Sequence, residues 1–252
     1  MTVRAAVQEL TVDVSSRRRW DHVDVRVLHD VSLRLVGGQM TALVGESGCG
    51  KSMVASALTG LLPPGARTGG AVIVDGVELG PDDPRWSAVR GHRVGLVPQS
   101  PATSFTPVRT VGSQLDEVVR TLDGTRSSAE LGAAVRLEPG ALDLYPHELS
   151  GGMAQRAALA AALAGDPAVI IADEPTSALD RELAGAAWEL LASAARDGAA
   201  VLVITHDIDA LSDGGCDAVA VMRAGRVVTQ GSPEEMLGSS DAYVGGLFEP
   251  VS

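Results

Sequence analysis

Gly45-Glu46-Ser47-Gly48-Cys49-Gly50-Lys51-Ser52 sets three glycines, a lysine and a terminal serine within eight residues, the spacing of a phosphate-binding loop. Glycines at 45, 48 and 50 let the backbone curl until several N–H groups converge on one anion, and a helix beginning near Lys51 adds the positive end of its dipole. Lys51 would neutralise the outer phosphates and Ser52 would offer a hydroxyl to Mg²⁺. The bland alternative is a glycine-rich turn that happens to precede a lysine. Lysine usage speaks against it: of 20 basic side chains Lys51 is the one lysine, so a compact, flexible ammonium stands where arginine serves everywhere else.

Val169-Ile170-Ile171-Ala172-Asp173-Glu174 is an apolar strand ending in two carboxylates. At the carboxyl edge of a parallel sheet, where ligands bind in open α/β folds, Asp173 would hold Mg²⁺ through water, and Glu174 would orient or deprotonate an attacking water. Alone, the pair equally fits a strand end with solvated acids; beside the phosphate loop it points to a nucleoside triphosphate. His206 follows the apolar run Val201 to Thr205, where a histidine is more often a satisfied structural residue than a catalytic one. His22, His29, His92 and His147 have no comparable setting and are read as structural.

The elements that must hold these groups follow from patterning. Met40 to Val44 is a short apolar strand running into the glycines, and Lys51 to Leu61 is helical. Val3 to Val14 and Val25 to Val36 read as strands separated by a polar, solvated loop with Arg17, Arg18 and Arg19. Ala71 to Val74, Val94 to Val97, Val169 to Ala172, Val201 to Thr205 and Asp217 to Met222 are apolar runs bounded by turn residues, as in a parallel sheet covered on both faces. Between Ser100 and Gly165 helical stretches at Val111 to Leu122, Ser128 to Val135 and Gly151 to Ala164 appear without strands. Gly225 to Gln230 and Pro233 to Leu237 read as a last strand and a short helix. The expectation is an α/β phosphate-loop NTPase core with a mostly parallel sheet and an N-terminal antiparallel β part. Residues 1–252 form one domain, with core segments 1–98 and 166–252 and an inserted helical subdomain, 99–165.

Composition narrows the classes. The 252 residues carry 32 acidic against 20 basic side chains, a formal charge of −12, which disfavours an extended nucleic-acid surface. With 45% hydrophobic and 21% charged residues the chain is not a disordered tail. The longest purely apolar helical run, Ala157 to Ala164, is far short of the roughly 20 residues of a membrane span, and no signal-peptide pattern opens the sequence. Cys49 and Cys216 make neither a metal-ligand spacing nor a disulfide framework. A soluble, cytoplasmic polypeptide is expected.

Leu149-Ser150-Gly151-Gly152-Met153-Ala154-Gln155-Arg156, upstream of the carboxylate strand, resembles the signature motif of the ATP-binding subunits of ABC transporters. Gln99 is similar to that family's Q-loop, Ser177-Ala178-Leu179-Asp180 to its D-loop, and His206 to its switch histidine; the motifs stand in the family's order over roughly residues 22 to 232. The resemblance implies ATP and Mg²⁺ as ligands. Gly45 through Ser52 would bind phosphate, Ser52, Gln99 and Asp173 would hold the metal, and Glu174, His206 and Gln99 would act in hydrolysis. Ser150, Gly151, Gly152 and Asp180 would close over the ATP of a second ATPase subunit packed head to tail. Independently of the family, Ser150-Gly151-Gly152 opens an alanine-rich helix whose N-terminus suits an anion yet carries no lysine; a capped helix with packing glycines is the plainer alternative.

Within the family, residues 45–52, Thr103 to Gly112, Tyr145-Pro146-His147-Glu148, Gly60 to Gly65 and Val221 to Gly231 are similar to the peptide and nickel importer ATPases. That implies a subunit driving import of peptides, nickel or a metal chelate, peripheral at the cytoplasmic face of the membrane. It would meet the permease through Ser100 to Gly112, with Phe105 exposed on a proline-bounded loop. The other ATPase would be a different chain, and an extracellular solute-binding protein would take part indirectly. An exporter subunit, or less readily a chromosome, repair or nucleotide-binding scaffold protein, is the alternative. Two departures stand out. The aromatic on which adenine stacks in this group falls near Val14, with Trp20 as a substitute, and no cysteine cluster for a [4Fe-4S] centre follows Gly231.

Overall fold

The computed structural model describes residues 2–18, 21–101, 104–206, 208 and 215–248. Two sheets carry the architecture. The first is antiparallel, in the order β2-β1-β4-β5, built from β1 (Val3–Arg18), β2 (Asp21–Val36), β4 (Arg67–Val74) and β5 (Val77–Leu79). The second has the order β10-β9-β3-β8-β7-β6 and comprises β3 (Gln39–Val44), β6 (Val94–Val97), β7 (Val169–Asp173), β8 (Ala200–Ile204), β9 (Ala218–Arg223) and β10 (Arg226–Gly231). All its pairings are parallel except β9 with β10.

β7 and β8 are buried along their whole length, and β3 beyond Gln39, because both faces are covered, and alternate residues serve different cores. Leu43, Ile171, Leu202, Ile204 and Met222 pack with the antiparallel sheet and helix α1 (Lys51–Leu58). Ala42, Val44, Ile170, Val201, Val203 and Val221 pack on the opposite side. That second core also takes in α3 (Val111–Thr121), α4 (Ser128–Ala134), α5 (Gly151–Ala162) and α6 (Arg181–Arg196). The short α2 (Trp86–Val89) precedes β6, and α7 (Pro233–Leu237) and α8 (Ala242–Phe248) follow β10.

Between β6 and β7 the described residues form helices and two 3-10 turns, Pro139–Asp143 and Pro146–Glu148, with no strand. The end of α5 lies directly on β6: a Cβ on Gly95 would stand 2.3 Å from the Ala162 carbonyl oxygen. Hydrophobic packing therefore runs without a break from Val111, Leu115 and Leu131 into the sheet.

Two expectations need correction. The β1–β2 ladder runs on past Val14 and Val25 to the pairs Arg17–His22 and Arg18–Asp21, so Arg17 and Arg18 belong to a hairpin arm rather than a loop; Arg19 and Trp20 lie outside the described residues. An antiparallel ladder can outlast its apolar pattern because the backbone groups are satisfied in pairs whatever the side chains, and exposed bonds such as Arg26 to Asp13 at 2.9 Å reinforce it. Phe105 is half-buried against the core, while Val108 in the same loop is 78% exposed. The Gln114 amide fastens that loop, with Oε1 accepting from Thr106 N–H at 2.7 Å and Nε2 donating to the carbonyls of Thr106 and Arg109 at 3.0 Å. Ala102 and Thr103 lie outside the described residues.

Candidate functional site

Four loops leave the carboxyl ends of adjacent parallel strands and meet over one cavity. β3 delivers Gly45 to Ser52, β6 delivers Gln99, β7 ends in Asp173 and Glu174, and β8 leads to His206. The cavity, about 520 Å³, is lined by Gly45, Ser47, Gly48, Gly50, Lys51, Ser52, Gln99, Asp173, Glu174, Ser177 and His206, with Val27, Met53 and Ile204 as apolar wall.

The loop's curl depends on positive φ angles. Gly45 has φ +149°, and a Cβ there would stand 2.1 Å from the Met222 carbonyl oxygen. Gly50, at φ 110°, is the N-cap of α1 and brings no side chain to cap it; Met53 N–H donates to Gly50 O at 3.0 Å, which leaves the N–H groups of Lys51 and Ser52 for a ligand. Lys51 is 9% exposed, and its ammonium donates to the carbonyls of Gly45 at 2.8 Å and Glu46 at 2.9 Å. The loop thus satisfies its lysine with its own oxygens. Cys49 is buried behind the loop and the Glu46 side chain is exposed on its outside; neither lines the cavity.

Asp173 is 6% exposed, and its Oδ1 is buried without a hydrogen-bond partner. Burial raises its carboxyl pKa above the usual value; a hydrogen bond with Ser52 opposes this, the Glu174 charge adds to it, and Lys51 pulls it down. An orphaned carboxylate oxygen beside a serine hydroxyl is a hard-oxygen donor set of the kind Mg²⁺ takes, so these residues fit the metal.

Glu174 has φ 52°, a conformation few non-glycine residues adopt. Its N–H donates to Ile204 O at 2.9 Å, and its own carbonyl accepts from Ser177 Oγ at 3.1 Å. His206 Nδ1 lies 2.9 Å from both carboxylate oxygens. The imidazole is 75% exposed and the carboxylate 12%, which sets Glu174 in the wall and His206 on the rim.

The remaining expected residues lie elsewhere. Ser150 caps α5, its hydroxyl accepting from Met153 N–H at 3.2 Å. Gly151 is exposed, and Gly152 rests on the loop before α6: a Cβ there would stand 3.3 Å from Ala178 O. Asp180 caps α6 through Leu183 N–H at 2.9 Å. None of these four lines the cavity. Val14 is half-buried against the core beneath the antiparallel sheet and does not line it either; the β2 residue that does is Val27. Neither Val27 nor Ile204 carried a signal in the sequence, because each reaches the site through strand pairing between distant segments.

The model of the ABC transporter family matches residues 28–177, more than half of the chain. The chain belongs to the ABC transporter family. It is 40% identical over 246 residues to the oligopeptide transport ATP-binding protein OppD of Mycobacterium tuberculosis, which covers 92% of this chain and 38% of that protein. It is 41% identical over 225 residues to the probable peptide ABC transporter ATP-binding protein y4tR of Sinorhizobium fredii, covering 84% of this chain and 66% of that one. The chain therefore spans about two-fifths to two-thirds of the length of these relatives. Among solved structures, the ATP-binding cassette MJ0796 in a dimeric, post-hydrolysis state bound to ADP and Pi is 26% identical, with TM-score 0.77 over 90% of this chain and 98% of that one. No described helix in this family member is long and apolar enough to cross a membrane.

Proposed function

We propose that this chain is the ATP-hydrolysing subunit of a peptide importer, peripheral at the cytoplasmic face of the membrane. The observation that carries this reading is the convergence of Lys51, Asp173, Glu174 and His206 on one cavity while Ser150, Gly151 and Gly152 lie outside it. The triphosphate lies along the phosphate loop, taking the N–H groups of Lys51 and Ser52 at the start of α1, and Lys51 turns from its own carbonyls to the outer phosphates. Ser52, Asp173 and Gln99 would hold Mg²⁺, which when bound would neutralise charge on the phosphates. Glu174 accepts the proton of the water that attacks the γ-phosphorus in line as its bond to the β–γ bridging oxygen breaks and ADP leaves, and His206, bonded to that carboxylate, holds it in place on the rim.

The exposed Ser150-Gly151-Gly152 helix end has no phosphate of its own to meet, which suits the ATP held by a second subunit packed head to tail. Residues 99–165 form the subdomain that carries this closure to the permease, through the loop of Ser100 to Gly112 that exposes Val108 and that Gln114 fastens. Import rather than export is favoured by the likeness of residues 100–112 and 145–148 to importer subunits. Peptide rather than nickel or metal-chelate cargo is favoured by the oligopeptide and peptide relatives. Glu174→Gln, assayed with the partner ATPase, is expected to abolish turnover while ATP binding persists; undiminished turnover would remove Glu174 from its role.

A further inference from the structure

The phosphate loop leans on a second wall that the catalytic motifs do not include. Its first glycine, Gly45, abuts the carbonyl of Met222 at the end of β9. Farther along, the Cys49 carbonyl accepts from Gly225 N–H at 2.9 Å, and Gly225 in turn accepts from His29 N–H at 2.8 Å. Both ends of the bend thus rest on the β9–β10 hairpin. Tyr243, in α8, closes the arrangement from outside. Its hydroxyl donates to the same Met222 carbonyl at 3.3 Å, and the Arg223 guanidinium lies 4.5 Å from its ring centroid. Burial raises the phenol pKa, and a hydrogen bond with the Glu46 backbone opposes that shift. The tyrosine is set there by its helix: Val244 is 1% exposed, and Met236 of α7 packs in the same core.

We propose that Tyr243 is a positioning residue for the phosphate loop, its hydroxyl bracing the Gly45–Glu46 turn against Met222 so that the turn keeps its shape when Lys51 leaves it for a phosphate. The need for a brace follows from the lysine's contacts. Without nucleotide, the ammonium itself ties Gly45 O and Glu46 O together. Once Lys51 turns to a triphosphate those two charge-assisted bonds are lost, at the moment when the loop must hold its N–H groups in a fixed array. The tyrosine hydroxyl instead holds the Met222 carbonyl against which Gly45 packs, a contact that does not involve the lysine.

This inference rests on the ATP-binding reading above, and the experiment separates the two. ATP affinity is measured calorimetrically on wild type, Lys51→Ala and Tyr243→Phe, well below the melting midpoint of each, so that the affinity reports the folded chain. Phenylalanine keeps the ring, its packing and the contact with Arg223, and removes only the hydroxyl. The expected result is an ATP dissociation constant about 3–10-fold higher in Tyr243→Phe, the effect of roughly one hydrogen bond, with faster amide exchange at Glu46 to Cys49. An affinity equal to wild type overturns the proposal, whatever happens to the melting temperature. If wild type binds ATP and Lys51→Ala does not, that equality removes only the role of Tyr243; if wild type binds no ATP, both readings fall.

Discussion

Two helices in this molecule open on glycine-containing turns, and they are finished in opposite ways. α1 begins after Gly50 with no side-chain cap, keeps Lys51 almost wholly buried beside its first turn, and faces a cavity walled by three other strand ends. α5 begins after Ser150, whose hydroxyl caps it, with no basic residue in its first turn and Gly151 open to solvent. The same dipole physics operates at both N-termini. Only the first is surrounded by the charges and walls that hold a ligand within one chain. The second has smooth glycines resting on Ala178 and Leu179 and nothing to enclose an anion, as suits a surface that meets a ligand already held elsewhere.

The comparison yields four tests. The largest effect should come from Lys51→Ala, which removes the charge on which the first site depends: ATP affinity should fall about 100-fold, from the loss of charge-assisted hydrogen bonds, and an affinity within a factor of two would break the contrast outright. Gly151→Asp sharpens the other side. In the proposed head-to-tail pair a carboxylate there would face the partner's γ-phosphate and cost about 2 kcal/mol, or ~30-fold in turnover with the partner ATPase, while the isolated chain should bind ATP as before. Weakened binding in the isolated chain would mean that the two helix ends are not separate half-sites. Ser150→Ala should lower unfolding free energy by about 1 kcal/mol through the lost cap, measured by denaturant titration; no equivalent loss is available at α1, which has no cap to remove.

The subtlest test concerns Asp173. Burial raises its folded-state pKa above 3.8, so the ionised carboxylate weakens the nucleotide-free fold at neutral pH. Asp173→Asn should therefore raise the melting midpoint at pH 7, with Mg²⁺ chelated. The advantage should shrink as pH falls through the raised pKa, because the wild-type carboxyl then becomes neutral too. An advantage that stayed constant down to the ordinary carboxylate range would assign it to something other than charge burial.

Much of the site was legible in the residues alone. The phosphate loop is a local object: glycines at fixed offsets, a strand before and a helix after, all within a dozen residues, so spacing by itself specifies the curl. The carboxylate pair at the end of β7 and the helix opened by Ser150 were readable for the same reason. Phe105 was not, since its half-burial depends on the core that α3 helps to build, nor was the ladder through Arg17 and Arg18, where backbone pairing continues after the apolar pattern stops. The brace at Tyr243 is less visible still, lying nearly two hundred residues from the loop it is proposed to support.

The chain's sequence by itself determined which groups can do chemistry and the backbone shapes next to them, because capping, glycine conformations and strand burial are short-range effects. Only the tertiary structure decided which of them share a cavity. Val27, Gly45, Lys51, Ser52, Gln99, Asp173, Glu174, Ser177 and His206 meet because β3, β6, β7 and β8 align in parallel and the antiparallel sheet packs on one face of them, and strand order is set by the summed packing of both cores rather than by any one segment.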